Sequence, residues 1–361
     1  MTTHALRVDL GPRSYDIEVG RGTLAALPDF LLKRQAVSHA IVVTDSGVEA
    51  LHAAPAAEAL AAAGITCDLL VVEAGEGSKS LAVAESLWCK LLELETDRKS
   101  IVVALGGGVV GDLAGFVAAT YGRGLELVQV PTTLLAQVDS SVGGKTGINL
   151  PGAKNMVGAF WQPIGVLVDP AVLATLPDRE YRSGLAEVVK YGVILDSNLF
   201  EFLEQHVSQI NARDADTLAH VIARCCRLKA DVVEQDEREE SGLRAVLNYG
   251  HTFGHALEAT TGYATWLHGE AVAIGMMQAA RLAERLGRVD SRLVARQKQL
   301  LTALHLPVAS DRIDRDALMA AMLHDKKVAH GQLRFILPDR IGHVELVGSI
   351  SPDLVRTILS E

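Results

Sequence analysis

The chain has 361 residues, 49% of them hydrophobic, and 34 Lys and Arg against 44 Asp and Glu give a formal net charge of −10. That length favours two domains over one, with roughly three-quarters of the unfolded surface buried on folding. The negative balance argues against nucleic acid as a partner, so an anionic ligand would need a locally positive site. No apolar run approaches the roughly 20 residues of a membrane span, and the first residues carry no signal-like apolar core. Cys67, Cys89, Cys225 and Cys226 show neither metal nor redox spacing, so a reducing cytoplasm is the expected compartment.

Up to about residue 178, short apolar strands alternate with helical stretches, the signature of an α/β domain with a parallel sheet. Ala40–Val43 reads as a strand ending at Thr44 and Asp45, and Ala50–Ala63 as an ordinary amphipathic helix. A strand Cys67–Val72 precedes a loop with Glu76 and Lys79, which by themselves read as a loop ion pair. The β-branched run Ile101–Leu105 enters Gly106-Gly107-Gly108-Val109-Val-Gly111-Asp112 and then the helical Leu113–Ala119. Strand, glycine turn and helix form a context in which backbone N–H groups can receive a pyrophosphate. No acidic residue closes the next strand, Leu125–Val130, so a nucleotide site of non-standard geometry is expected. Arg123 sits between two glycines just before that strand. After it come Thr132 and Thr133, then Asp139, the glycine-flanked Lys145, and Lys154-Asn155. The spacing fails as a Walker motif, and a Lys beside Thr, Asp and Asn suits an anionic substrate better than a nucleoside triphosphate.

Beyond Pro177-Asp178 helical periodicity dominates to about Met322, with a small hairpin expected from Gln332–Leu337 and His343–Val347. Glu187 and Lys190 lie three apart on an otherwise apolar helix, where an unpaired charge is expensive. Asn248, His251 and His255 stand at i, i+3 and i+7, which on a helix gives one face, and His268 opens the next helical run. A lone His is more often a core or surface residue. Imidazoles repeated on one face are raw material for a divalent-metal site, and Glu187 is the best candidate for a third ligand. Glu187, His251 and His268 would leave an open coordination position, the catalytic rather than the structural arrangement.

Taken together and in order, the glycine turn, the Pro-Thr-Thr segment, the Lys145 loop, Ala153–Phe160, the Glu187 helix and the His251–His255 helix closely resemble the 3-dehydroquinate synthase family. The resemblance runs from about Thr44 to Asp325-Lys326-Lys327. It implies an NAD-binding α/β domain over 1–178 and a mainly helical metal- and substrate-binding domain over 179–361. It also implies conversion of 3-deoxy-D-arabino-heptulosonate 7-phosphate to 3-dehydroquinate and phosphate, with transient NAD-dependent oxidation, elimination, re-reduction and aldol closure. The implied metal ligands are Glu187, His251 and His268, holding Zn2+ or Co2+. The implied substrate-binding positions are Arg123, Asp139, Lys145, Asn155, Lys190, Lys229, Arg244, Asn248, His255 and Lys326. Arg244 with Lys229 suits the carboxylate end, because a guanidinium grips carboxylate in bidentate fashion. On the cofactor side the matches are Asp45, Glu76, Lys79, Gly107, Gly108, Val109, Asp112, Thr132, Thr133, Lys145, Lys154 and Thr175. A homodimer is implied, with Arg123 reaching the neighbouring subunit's phosphate.

Three other readings compete. Another sugar-phosphate cyclase would alter several anion-binding positions, yet Lys229, Arg244, Asn248 and His255 keep the dehydroquinate-synthase identity. A metal-dependent glycerol or alcohol dehydrogenase gives no reason for so many cations around the metal. A non-catalytic metal-binding protein leaves the glycine turn and the anion-binding positions unexplained.

Overall fold

A computed structural model describes residues 3–35, 37–262, 265–310, 314–324 and 333–360. Lys326 lies outside these. The chain forms two compact units, one of Met1–Pro177 with Ala215–Arg238, the other of Asp178–Asp214 with Glu239–Glu361. A single boundary near residue 178 therefore misassigns the helix Ala215–Gln235. Its amphipathic pattern announces an apolar face but not which unit that face packs against.

The first unit is built on strands β1 (His4–Val8), β2 (Tyr15–Val19), β3 (His39–Asp45), β4 (Thr66–Val72), β5 (Ile101–Gly106), β6 (Glu126–Pro131), β7 (Lys145–Leu150), β8 (Ala153–Phe160) and β9 (Gly165–Val168). Seven of them form one sheet in the order β1-β2-β9-β6-β5-β3-β4, parallel except for the antiparallel β1–β2 pair at one edge. β7 and β8 form a separate antiparallel hairpin, which apolar periodicity did not announce. Alternation splits each central strand between two faces. Ile41, Val43, Val102 and Ala104 pack on one side with Leu87 and Leu91 of the helix Leu81–Glu93, and with Leu113 and Val117 of the helix Gly108–Thr120. Ala40, Val42, Ile101 and Val103 face the other side, against Phe30, Leu31 and Leu60. From β3 the chain moves outward to β4, then returns to β5 on the opposite side of β3. The carboxyl ends of β3 and β5 thus flank a topological switch point, where open α/β sheets receive ligands.

The second unit packs the helices Asp178–Ile194, His251–Thr260 and His268–Arg285 with further helices and with the hairpin β10 (Leu333–Arg340) and β11 (His343–Ile350). Where His268–Arg285 starts, a Cβ on Gly269 would run into the carbonyl of Ser183. The two helix backbones therefore touch, and the Gly269 N–H donates to Ser183 Oγ at 3.0 Å. Gly250, before His251, has φ +79 and lies against the same helix, so a Cβ would meet Met276 Cγ at 2.6 Å and Met276 N at 2.8 Å.

That double constraint makes Gly250 sensitive to any side chain. Gly250→Ala is expected to lose about 1–2 kcal/mol for the left-handed backbone alone, and more for the contact with Met276. A thermal denaturation midpoint within about one degree of wild type would show that the turn relaxes freely.

Candidate active site

In the second unit, three helices bring three chemically matched groups together. Glu187 lies in the middle of Asp178–Ile194 with no solvent exposure, flanked by buried Leu185, Ala186, Val188 and Val189. His251 is the first residue of its helix and His268 the first of the next. Both turn Nε2 toward Glu187 Oε1, each at 3.7 Å. The other nitrogen of each ring is engaged. His251 Nδ1 lies 3.1 Å from the carbonyl of Tyr249, and His268 Nδ1 lies 3.4 Å from Glu258 Oε2. With Nδ1 protonated to meet those oxygens, each Nε2 offers a lone pair. Neither Glu187 oxygen makes a hydrogen bond of good geometry, although Oε2 lies in ion-pair contact with the Lys190 ammonium.

The electrostatics of the two imidazoles diverge. Burial, reinforced by the Lys190 ammonium and the neighbouring imidazoles, pushes His251 well below the ordinary imidazole value. Burial also acts against charge on His268, but the Glu258 bond and the Glu187 charge outweigh it and raise its value. A neutral imidazole, a second imidazole backed by a carboxylate and an underbonded buried carboxylate are the donor set a divalent cation needs. Their ligand atoms lie within 4.8 Å of one another.

The start of the His268 helix is fixed by contacts that sequence reasoning missed. Glu270 accepts from the Leu267 N–H at 2.8 Å and from both Arg179 Nε and an Arg179 terminal nitrogen at 2.7 Å. Arg179 belongs to the Glu187 helix, so this bidentate pair ties two ligand-bearing helices together. Glu258 was missed as well, though it stands seven residues after His251 on the same helix face.

Asn248 is not on the His251 helix, contrary to the i, i+3, i+7 reading. It ends a short 3-10 turn, Leu243–Asn248, and Tyr249 and Gly250 separate it from the helix start. His255 stays on the helix, exposed, with its ring edge-on to that of His251 at 5.2 Å. Arg244 is 3% exposed, with Nε 3.3 Å from Glu239 Oε1.

In the first unit a second constellation forms. Lys79 is only 4% exposed, which no ordinary loop lysine would be. Its ammonium lies 2.7 Å from Asp112 Oδ2, farther from Glu76 at 3.7 Å, and donates to Asn155 Oδ1. Asn149 joins them, donating to Glu76 at 2.8 Å and accepting from the Asn155 N–H at 2.8 Å. Burial raises the Asp112 carboxyl despite the Lys79 ammonium. Gly107 precedes the helix Gly108–Thr120, and no side chain caps that helix. A Cβ on Gly107 would lie 3.0 Å from Thr133 Cγ2, and one on Gly108 would lie 3.0 Å from Ser140 Oγ. Asp45 closes β3 and accepts from the N–H groups of Gly47 and Val48. Thr132 follows β6 with its Oγ1 buried and unpaired, while Thr133 Oγ1 accepts from the Ala136 N–H. Val109 lies in the first turn of the helix, with Gly108.

The remaining sequence-derived candidates of the first unit are placed as follows. Thr175 is exposed and its Oγ1 lies 2.7 Å from His52 Nε2. Lys145 opens β7 and is exposed, as is Lys154 in β8. Lys229 is buried against Asp139, 2.6 Å from its carbonyl and 2.8 Å from its carboxylate. Arg123 is exposed at φ +70, on the 3-10 turn Tyr121–Arg123.

The chain as a whole is similar to known proteins in sequence and in fold. The family profile described as 3-dehydroquinate synthase N-terminal matches residues 69–183, and the one described as 3-dehydroquinate synthase C-terminal matches 184–328. A 3-dehydroquinate synthase of Rhodopirellula baltica is 51% identical, over 99% of this chain and 97% of its own. Among solved structures, 2-epi-5-epi-valiolone synthase from Streptomyces hygroscopicus, with NAD+ and Zn2+ bound, superposes at a TM-score of 0.87, with 30% identity and 96% of each chain covered. A 2-deoxy-scyllo-inosose synthase complexed with carbaglucose-6-phosphate, NAD+ and Co2+ superposes at 0.88, with 29% identity and 99% of each chain covered.

The buried Glu187–Lys190 pair yields its own test. In chelator-treated protein, Lys190→Met leaves the carboxylate without its ammonium, at a cost of about 3–5 kcal/mol. Added Zn2+ should recover part of that loss, because a cation restores the missing charge. Equal melting temperatures for variant and wild type in chelator would show that Glu187 does not depend on Lys190.

Proposed function

The chain belongs to the 3-dehydroquinate synthase family, and we propose that its two units divide that family's chemistry between cofactor binding and metal binding. The reaction converts 3-deoxy-D-arabino-heptulosonate 7-phosphate to 3-dehydroquinate and phosphate. The observation that carries the division is the underbonded Glu187 carboxylate, faced by two imidazole nitrogens whose partners fix them for ligation.

We assign Glu187, His251 and His268 to one divalent cation, Zn2+ or Co2+. We assign the turn at Gly107–Val109, with Asp45, Glu76, Lys79, Asp112, Thr132, Thr133, Lys145, Lys154 and Thr175, to NAD+. The fit is chemical in both places. The uncapped N–H groups after Gly107 can receive a pyrophosphate, and side chains on the two glycines would crowd Thr133 and Ser140. When bound, the metal supplies Lewis-acid polarisation of a substrate hydroxyl and NAD+ a reversible hydride acceptor.

The remaining work falls to the chain's own groups. Arg244, with its planar fork, suits the substrate carboxylate. Asn248 and His255 in the second unit suit the phosphate, and Lys145 and Asn155 in the first unit are by their own chemistry suited to an anionic group. Asp139, Lys190 and Lys229 are assigned to substrate as well, and their mutual pairing with carboxylates orients the two ammonium groups. Identity of 51% to a dehydroquinate synthase, against about 30% to the other cyclases, supports the carboxylate-bearing substrate. A reducing cytoplasm suits four free thiols, two of them adjacent and buried.

The direct test adds the heptulosonate phosphate and follows phosphate release. Turnover should require NAD+ without consuming it, stop on chelation and return with Zn2+ or Co2+. His251→Ala should lose bound metal with the fold mostly intact, since the site is catalytic. NADH accumulating in proportion to product would instead mark a dehydrogenase.

We further infer a homodimer in which Arg123 reaches the phosphate site of the neighbouring subunit. Mixing inactive Arg123→Ala with inactive His268→Ala under subunit exchange should partly restore activity, because each hybrid holds one intact site. Confirmed exchange without recovery would assign Arg123 to its own subunit or to no site.

A further inference from the structure

Resting on the metal assignment above, we propose that Glu258 is a positioning residue: its carboxylate holds His268 Nδ1–H and thereby turns Nε2 toward Glu187. Glu258 lies on the helix His251–Thr260, seven residues after His251, so both side chains leave the same face. It is 5% exposed, and a carboxylate so placed needs a partner. His268 is such a partner, with Glu258 Oε2 at 3.4 Å from its Nδ1. On the far side of the same ring, Nε2 stands 3.7 Å from Glu187 Oε1.

The partner imidazole is held differently. His251 Nδ1 meets the backbone carbonyl of Tyr249, and that tyrosine is anchored through its hydroxyl, 2.9 Å from Gln297 Oε1 and 3.2 Å from the Met276 carbonyl. A backbone acceptor comes with the fold, whereas His268, on the first residue of another helix, depends on a side chain. A carboxylate there also makes the imidazole a stronger donor than a carbonyl would.

Glu258 could in principle be a ligand itself, since its oxygen and those of His255 and His268 also fall within 4.8 Å of one another. The ring geometry opposes this for the Glu187 centre. Glu258 faces Nδ1, and the ligating nitrogen of that centre is Nε2.

The test compares full-length wild type, Glu258→Gln, Glu258→Asp, Glu258→Ala and Glu187→Gln. Zn2+ and Co2+ affinities are read by competition with a chromophoric chelator, and the ligand set by visible absorption of the Co2+ form at saturation. Glu258→Ala should bind metal 10- to 100-fold more weakly. Glu258→Asp, charged but too short to reach the ring, should behave like it. Glu258→Gln should lose less, because an amide oxygen accepts the same bond, and it keeps the question open to measurement if the alanine variant misfolds. All three should show the wild-type Co2+ spectrum once saturated. Wild-type affinity in Glu258→Ala and Glu258→Asp overturns the proposal, and so does an altered saturated spectrum, which would make Glu258 a ligand. Wild-type affinity in Glu187→Gln would instead overturn the metal assignment itself, a separate result.

Discussion

The second unit is organised around a carboxylate placed where a carboxylate is costly. Glu187 is fully buried on an apolar helix, and its charge is tolerable only through what surrounds it: the Lys190 ammonium and the two imidazole nitrogens at 3.7 Å. Each of those groups needs its own support. The tight packing at Gly269, the turn at Gly250 and the Arg179–Glu270 pair all bring the three helix backbones close enough for the charge to be met. Small residues at helix starts are therefore not merely permissive. They set the distance at which the site works.

In the first unit the corresponding constraint is topological. The order of β4, β3 and β5 leaves two carboxyl ends pointing at a switch point, and the sequence places Asp45 on one and the glycine turn on the other. The absence of an acidic residue at the end of β6 then ceases to be an anomaly. β6 lies beyond β5 and is followed by Thr132 and Thr133, while the acidic groups assigned to the cofactor come from the end of β3 (Asp45), the turn after β4 (Glu76) and the helix after β5 (Asp112).

Much of this was legible in the residues, for reasons of period. Glu187 and Lys190 stood out because everything between and around them is apolar, and the central strands because β-branched runs this short form buried strands. What failed was whatever depends on partners distant in sequence or on a single backbone angle. Asn248 seemed to share a helix with His251 because spacing alone cannot see that Gly250 takes φ +79 and starts the helix anew. Arg179 and Glu270 are ninety-one residues apart, and nothing local links them. Glu258 went unnoticed because its partner, His268, belongs to another helix and is brought to it only by the fold. Lys79 read as a loop residue because burial of a lysine cannot be inferred from its neighbours.

The helix Ala215–Gln235 belongs to the first unit although the segment Asp178–Asp214 of the second unit precedes it in the chain. Its buried face includes Leu218, Val221, Ile222, Cys225 and Val233. On the ribosome, the first unit is therefore incomplete until Arg238 has emerged, sixty-one residues after Pro177. At about 5–20 residues per second that is an interval of roughly 3–12 s. Throughout that interval the first unit exists only in part, its sheet made but one of its helices still to come, and it is whole only when the second unit has no more than Asp178–Asp214.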